Sequence, residues 1–249
     1  MSNNQQPSST ICKENVDHEY DGDIVLKTEH LTKVFDSLAG KITALCDINL
    51  KIKKGEFVSI MGPSGCGKST LLNIIGALDK PTFGKVFING FDIFTLTDSE
   101  IATMRNRLIG FVFQSYNLVN RSTVIKNVKL PAIIAGMSQS EADFRAMKIL
   151  QALGIADKAK QKTINLSGGQ QQRVAIARCL VNNPAIILAD EPTGNLDTKT
   201  GADIFDMLKI LSQKFGRTVL MVTHNPELAE STNRTIMMRD GKIEKETVN

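Results

Sequence analysis

The chain has 249 residues, 42% of them apolar, which is enough for one α/β domain with a sizeable core and a smaller subdomain. A net charge of +4, spread without any basic block, argues against a nucleic-acid partner. No stretch approaches the roughly 20 apolar residues of a membrane helix, and residues 1–10, rich in Asn, Gln and Ser, lack the apolar core of an export signal.

In chain order, residues 1–23 read as a disordered, slightly acidic tail, followed by one domain over 24–249. Residues 24–26 and 44–52 are expected strands at the edge of that domain. Lys51, Lys53 and Lys54 form a solvated face there rather than a binding patch. The apolar run 56–61 ends at a glycine-rich loop, and residues 69–77 then read as a helix. Strands are expected over 84–89 and 109–113, with a polar helix over 98–106 between them.

From residue 120 to 165 the pattern turns helical. Phe144, Met147 and Leu150 predict a buried stripe on a helix over 141–153. The stretch from about 115 to 170 therefore reads as a helical subdomain inserted in the α/β core. Sheet character returns at 185–189 and 218–222, with Ile204, Leu208 and Leu211 on one face of the helix between them. Residues 239–242 read as a two-residue hairpin turn. Cys12, Cys46, Cys66 and Cys179 lack metal-ligand or C-x-x-C spacing and are expected as reduced thiols.

Gly62-Pro63-Ser64-Gly65-Cys66-Gly67-Lys68-Ser69 is G-x-x-x-x-G-K-[ST], set between strand and helix as a phosphate cradle requires. Its glycines let backbone amides approach phosphate, Lys68 reaches the outer phosphates, and the Ser69 hydroxyl suits Mg²⁺. A second anion-friendly loop, Leu166-Ser167-Gly168-Gly169-Gln170, stands directly before a helix. Two phosphate loops with one lysine-bearing site suggest that each nucleotide is gripped by two chains. An apolar strand ending in Asp190-Glu191 offers one carboxylate for metal and one to polarise a water. Gln114, at the boundary with the helical insert, can touch metal or water. His224 follows another core strand near the same edge.

In this order and spacing the set resembles the nucleotide-binding subunit of ATP-binding cassette (ABC) transporters, over nearly all of residues 24–246. Residues 72–82, 110–118 and 189–197 are similar to the branch containing the lipoprotein-releasing and macrolide-exporter ATPases, with the cell-division ATPase FtsE as a near relative. The resemblance implies an ATPase that uses ATP and Mg²⁺, pairs head to tail as a homodimer when ATP is bound, and sits on the cytoplasmic face of the membrane. It implies membrane contact only through integral permease subunits, with export as the output, or force transmission without transport as in FtsE. It further implies that Phe35 stacks on adenine and that Gly62 to Thr70 bind the phosphates. Ser167, Gly168, Gly169 and Gln170 would face the nucleotide of the opposite subunit. Ser69, Gln114 and Asp190 would hold the metal; Glu191, His224 and Gln114 would serve hydrolysis; Asp197 would couple the two sites. Three features depart from the pattern: no proline in residues 162–165, Asn120 in place of a common proline, and the tail.

Overall fold

The computed structural model describes residues 22–37 and 40–249. The expected tail up to residue 21, with Cys12, lies outside them. Strands β1 (Ile24–Ser37), β2 (Gly40–Lys53), β4 (Phe83–Ile88) and β5 (Phe91–Asp92) form an antiparallel sheet in the order β2-β1-β4-β5. Both β1 and β2 are 14 residues long, far longer than the short runs expected from sequence. The alternation breaks where His30 (φ 49°) and Asp47 (φ 56°) turn left-handed and the register shifts, so the two-residue period is interrupted without the strands ending. His30 Nδ1 and Asp47 Oδ1, 2.7 Å apart, bridge this irregular stretch.

The second sheet holds β3 (Phe57–Met61), β6 (Ile109–Phe113), β7 (Ile186–Asp190), β8 (Thr218–Val222), β9 (Arg234–Arg239) and β10 (Lys242–Val248), in the order β10-β9-β3-β8-β7-β6. Only β10 runs antiparallel, returned by the expected tight turn at Asp240 and Gly241, both with positive φ. The parallel strands are apolar on both faces because both faces are covered. Val58, Ile60, Leu188, Leu220 and Val222 pack with the antiparallel sheet and with Leu71, Leu72, Ile74 and Ile75 of α1 (Lys68–Ile75). The alternate residues Phe57, Ile187, Ala189, Val219 and Met221 pack against α5 (Gly168–Leu180) and α6 (Thr198–Phe215), where Ile204, Leu208 and Leu211 are buried as expected.

Between the first sheet and β6 runs α2 (Asp98–Leu108), opened by a capping box of Thr97 and Glu100. The stretch between β6 and β7 carries α3 (Val124–Ile134), α4 (Gln139–Ala152) and then α5. The stripe expected on α4 is corrected. Phe144 is 64% exposed, whereas Ala142, Ala146 and Leu150 are fully buried. Steps of three drift around a helix, while steps of four stay closer to one face, and the small alanines let α4 approach its neighbours. Outside, the Lys148 ammonium lies 4.9 Å from the Phe144 ring centroid. The lysines 51, 53 and 54 are exposed, and Cys46, Cys66 and Cys179 are free thiols; burial pushes Cys179 up to about 12.

Candidate functional site

Parallel pairing sets the site. Ile60 lies opposite Val222, Val222 opposite Asp190, and Asp190 opposite Phe113, so one cross-strand row closes the carboxyl ends of β3, β8, β7 and β6. With strands about 4.8 Å apart, residues just past that row stand along one edge of roughly 15 Å. They are the glycine loop after β3, Thr223-His224 after β8, Glu191 after β7 and Gln114 after β6. Crevices at the carboxyl ends of parallel strands are where open α/β sheets take ligands.

The loop from Gly62 to Ser69 is pinned from behind. A Cβ on Gly62 (φ 150°) would fall 2.2 Å from the Met238 carbonyl, and one on Gly67 (φ 102°) would fall 2.4 Å from the Ala44 carbonyl. In front it is open, since a Cβ on Gly65 would meet nothing within 4 Å. Helix α1 starts at this loop with no side chain capping its first turn and no acidic residue in it, which leaves the positive end of the helix for an anion. Lys68 is buried and donates from Nζ to the Gly62 and Pro63 carbonyls at 2.8 and 2.9 Å, so its ammonium is held against the loop. Pro63, Ser64 and Gly65 are exposed at the front, and Thr70 sits half-buried in the first turn of α1. Cys66 faces inward: its thiol is 4% exposed, 3.9 Å from Lys68 Nζ, and its N–H goes to the Pro63 carbonyl.

Ser69 Oγ and Asp190 Oδ1 meet at 3.4 Å. Burial raises the Asp190 carboxyl above its ordinary value, and the Glu191 charge adds to this, against the opposing pull of Ser69 and Lys68. Glu191 adopts φ 45°, a left-handed conformation that costs a non-glycine residue about 1 kcal/mol. Its N–H binds the Val222 carbonyl at 3.0 Å and its own carbonyl takes the Gly194 N–H at 3.0 Å, which fixes the turn. Its carboxylate lies 3.4 Å from His224 Nδ1, with the imidazole largely exposed. Gln114 donates from Nε2 to Asn195 Oδ1 at 3.1 Å, and Asn195 donates back to the Gln114 carbonyl at 3.0 Å, leaving the Gln114 amide oxygen as an acceptor.

The second loop is placed elsewhere. Ser167 caps α5 by accepting from the Gln170 N–H at 3.4 Å, and Gln170 Oε1 accepts from the Ser167 N–H at 3.1 Å. The neighbours of Gly168 and Gly169 are Tyr116, Leu196 and Thr200, not the glycine loop of the same chain. Asp197 caps α6 through the Thr200 N–H, and these bonds hold its carboxyl below the usual range. Phe35 offers a 40% exposed ring on β1, with Lys33 Nζ 4.8 Å from its centroid.

Sequence reasoning passed over two residues of α5. Gln172, fully buried, donates to the Pro192 carbonyl at 2.7 Å, directly behind Glu191. Arg178 donates to the Tyr116 and Asn117 carbonyls, just past Gln114. The available signal was faint, because the same helix also carries Gln170, Gln171 and Arg173, and only the apolar run 174–177 divides its polar residues, with Gln172 before it and Arg178 after.

The donor set suits a nucleoside triphosphate and a hard cation: an open glycine cradle, a held ammonium, and hydroxyl and carboxylate oxygens. No group of three or more metal-ligating acids, histidines or cysteines occurs among the described residues. Magnesium needs no such cage, since it is held by one or two carboxylates together with substrate phosphates. The ABC transporter profile matches residues 45–194. This chain belongs to the ABC transporter ATP-binding family.

The ABC cassette is 47% identical to the lipoprotein-releasing system ATP-binding protein LolD of Bacteroides thetaiotaomicron, over 89% of this chain and all of LolD. It is 46% identical to the macrolide export ATP-binding/permease protein MacB of Vibrio parahaemolyticus, over 91% of this chain but only 35% of MacB. Among solved structures, the post-hydrolysis dimer of the ATP-binding cassette MJ0796, bound to ADP and Pi, superposes with a TM-score of 0.83 at 48% identity, covering 90% of this chain and 98% of that one. The ABC ATPase fold, with its antiparallel edge, and the ATP-hydrolysing activity of this family are therefore those of this chain. No helix among the described residues is long and apolar enough to cross a membrane.

Proposed function

We propose that this ABC ATPase is the peripheral, cytoplasmic-face subunit of an exporter of the lipoprotein-releasing or macrolide-export type, working as a head-to-tail homodimer beneath integral permease subunits. The observation that carries the reading is the separation of two anion-binding ends: the glycine loop with Lys68 at the sheet edge, and the Ser167 cap on α5, whose neighbours lie elsewhere. Each copy then supplies the half that the other lacks, and the dimeric MJ0796 relative supports that pairing.

In this reading the backbone of Gly62 to Thr70 and the Lys68 ammonium hold the phosphates, and the Phe35 ring lies against adenine. Ser69, Asp190 and Gln114 would hold Mg²⁺, which when bound neutralises developing phosphate charge. Glu191, fixed in its strained turn and facing His224, orients and deprotonates the attacking water. Ser167, Gly168, Gly169 and Gln170 close on the outer phosphate of the partner copy. Unit charges about 4 Å apart at an effective dielectric near 20 interact by roughly 4 kcal/mol, so losing that phosphate removes a strong attraction that favours the closed pair.

The test uses two variants. Glu191→Gln should keep ATP binding, lose turnover by about a hundredfold or more, and elute as a dimer with ATP on a sizing column. Lys68→Ala should lose nucleotide affinity. Normal turnover by the first variant, or its persistence as a monomer, rejects the reading.

A further inference from the structure

The segment after Gln114 is conformationally costly. Tyr116 (φ 61°) and Asn117 (φ 49°) are consecutive left-handed residues, neither of them glycine. Three bonds local to the turn help to hold it: the Tyr116 N–H to the Phe113 carbonyl at 3.1 Å, the Asn117 N–H to the Ser115 carbonyl at 2.6 Å, and the Ser115 hydroxyl to Asn117 Oδ1 at 3.0 Å. The carbonyls of this pair point at α5. Arg178 Nη2 donates to the Tyr116 carbonyl at 2.8 Å and Nη1 to the Asn117 carbonyl at 2.5 Å. At the other end of the same helix, a Cβ on Gly168 would fall 2.8 Å from the Tyr116 hydroxyl, so the tyrosine spans from the arginine to the loop of residues 167–170.

Arg178 is largely buried, and among the described residues no carboxylate pairs with it. A desolvated guanidinium without a counter-ion is expensive unless its donors are matched, and a planar fork matches two adjacent carbonyls in a way that an ammonium does not.

We propose that Arg178 is a positioning residue for hydrolysis: by gripping the Tyr116 and Asn117 carbonyls it locks the Gln114 segment to the helix that presents Ser167. A shift of α5 is thereby delivered to Gln114 in the site of the same chain. Gln172 gives that helix a second hold, on the turn behind Glu191. The inference rests on the ATPase reading above, through the role given to Gln114.

Three purified full-length variants test it by steady-state ATP hydrolysis and by amide hydrogen exchange. Arg178→Ala should lower kcat about tenfold or more, the ratio that a lost charge-assisted hydrogen bond gives, with KM for ATP within about twofold of wild type. Exchange should quicken at residues 114–119 and stay unchanged at 172–177. Arg178→Lys, which can reach one carbonyl at a time, should recover part of kcat. Arg173→Ala is the control on the same helix. Its guanidinium bonds the Leu153 carbonyl at 3.1 Å, so the variant should lower stability and leave kcat unchanged.

Unchanged kcat in Arg178→Ala, KM rising in step with the loss, or exchange quickened evenly through α5 overturns the proposal. If Arg178→Ala is insoluble, Arg178→Lys decides alone: wild-type kcat, or insolubility in its turn, also overturns it. The Glu191→Gln dimer trap is independent of Arg178, so a failure there sinks the ATPase reading and not this inference by itself.

Discussion

The two glycine loops proposed to bind phosphate are built from different materials. At the sheet edge, the glycines stand against main chain: Gly62 beneath the Met238 carbonyl and Gly67 beneath the Ala44 carbonyl. At the start of α5, the glycines stand against side chains: Gly168 against Tyr116 and Leu196, Gly169 against the Thr200 methyl. Main chain within a sheet cannot give way without breaking its ladder, whereas a side chain can rotate or lean. The loop of residues 62–69 is therefore a fixed cradle and the loop of residues 167–170 an adjustable one. That division would suit the proposed shared site, in which the second half arrives from another subunit and must settle on what the first half already holds.

The largest effect that tests this contrast comes from adding one carbon on each side. Gly62→Ala places a Cβ 2.2 Å from a carbonyl oxygen at φ 150°, so strain and overpacking act together and should cost about 3 kcal/mol or more. Gly169→Ala also meets a close contact, 2.3 Å from Thr200 Cγ2, but the neighbour is a side chain. Ala regains about 1 kcal/mol inside a helix, which leaves a net cost of about 1 kcal/mol. Urea unfolding of the two variants measures both numbers. Equal losses would erase the distinction between a rigid and a yielding half.

The rigid half was also the legible half. A glycine loop between strand and helix, an apolar strand ending in two carboxylates, and the strand boundaries at 109–113 and 218–222 are all local patterns, and local patterns survive in a bare sequence. What was hidden depends on distant partners. The length of β1 and β2 follows from a bulge at His30 and Asp47 that only cross-strand pairing defines. The bonds of Arg178 to Tyr116 and of Gln172 to Pro192 join residues 62 and 20 positions apart. The stripe on α4 was misread because a large aromatic outweighed two alanines, although the alanines are what fit against neighbouring helices.

A smaller effect sharpens the comparison by asking what the rigid edge costs when unliganded. Asp190 is held near Glu191 in a partly buried place, and both conditions raise its carboxyl above the ordinary 3.8 of an unfolded chain. The folded state thus binds that proton more tightly than the unfolded state, and the carboxylate destabilises the fold once pH exceeds both values. Asp190→Asn removes the charge and keeps the shape. In metal-free buffer at neutral pH it should raise Tm, the partial exposure of the carboxyl keeping the gain small, while hydrolysis is lost. The gain should shrink as pH falls through the raised value and vanish below 3.8, where the wild-type carboxyl is protonated in both states. A Tm difference that stays constant with pH would mean that its source is not the charge.

The smallest expected effect lies on the outer face of the helical part. Phe144 is 64% exposed and its ring meets the Lys148 ammonium, an exposed pair of about 0.5 kcal/mol. Nothing of the buried face of α4 changes when it is replaced, since Ala142, Ala146 and Leu150 do the packing there. Phe144→Ser should therefore shift stability by no more than about 0.5 kcal/mol and leave basal ATP hydrolysis unaltered. Thermal unfolding with an ATPase assay reads both quantities. A loss of several kcal/mol would return Phe144 to the core, where three-residue spacing had put it, and would contradict the four-residue stripe on which the packing of α4 rests.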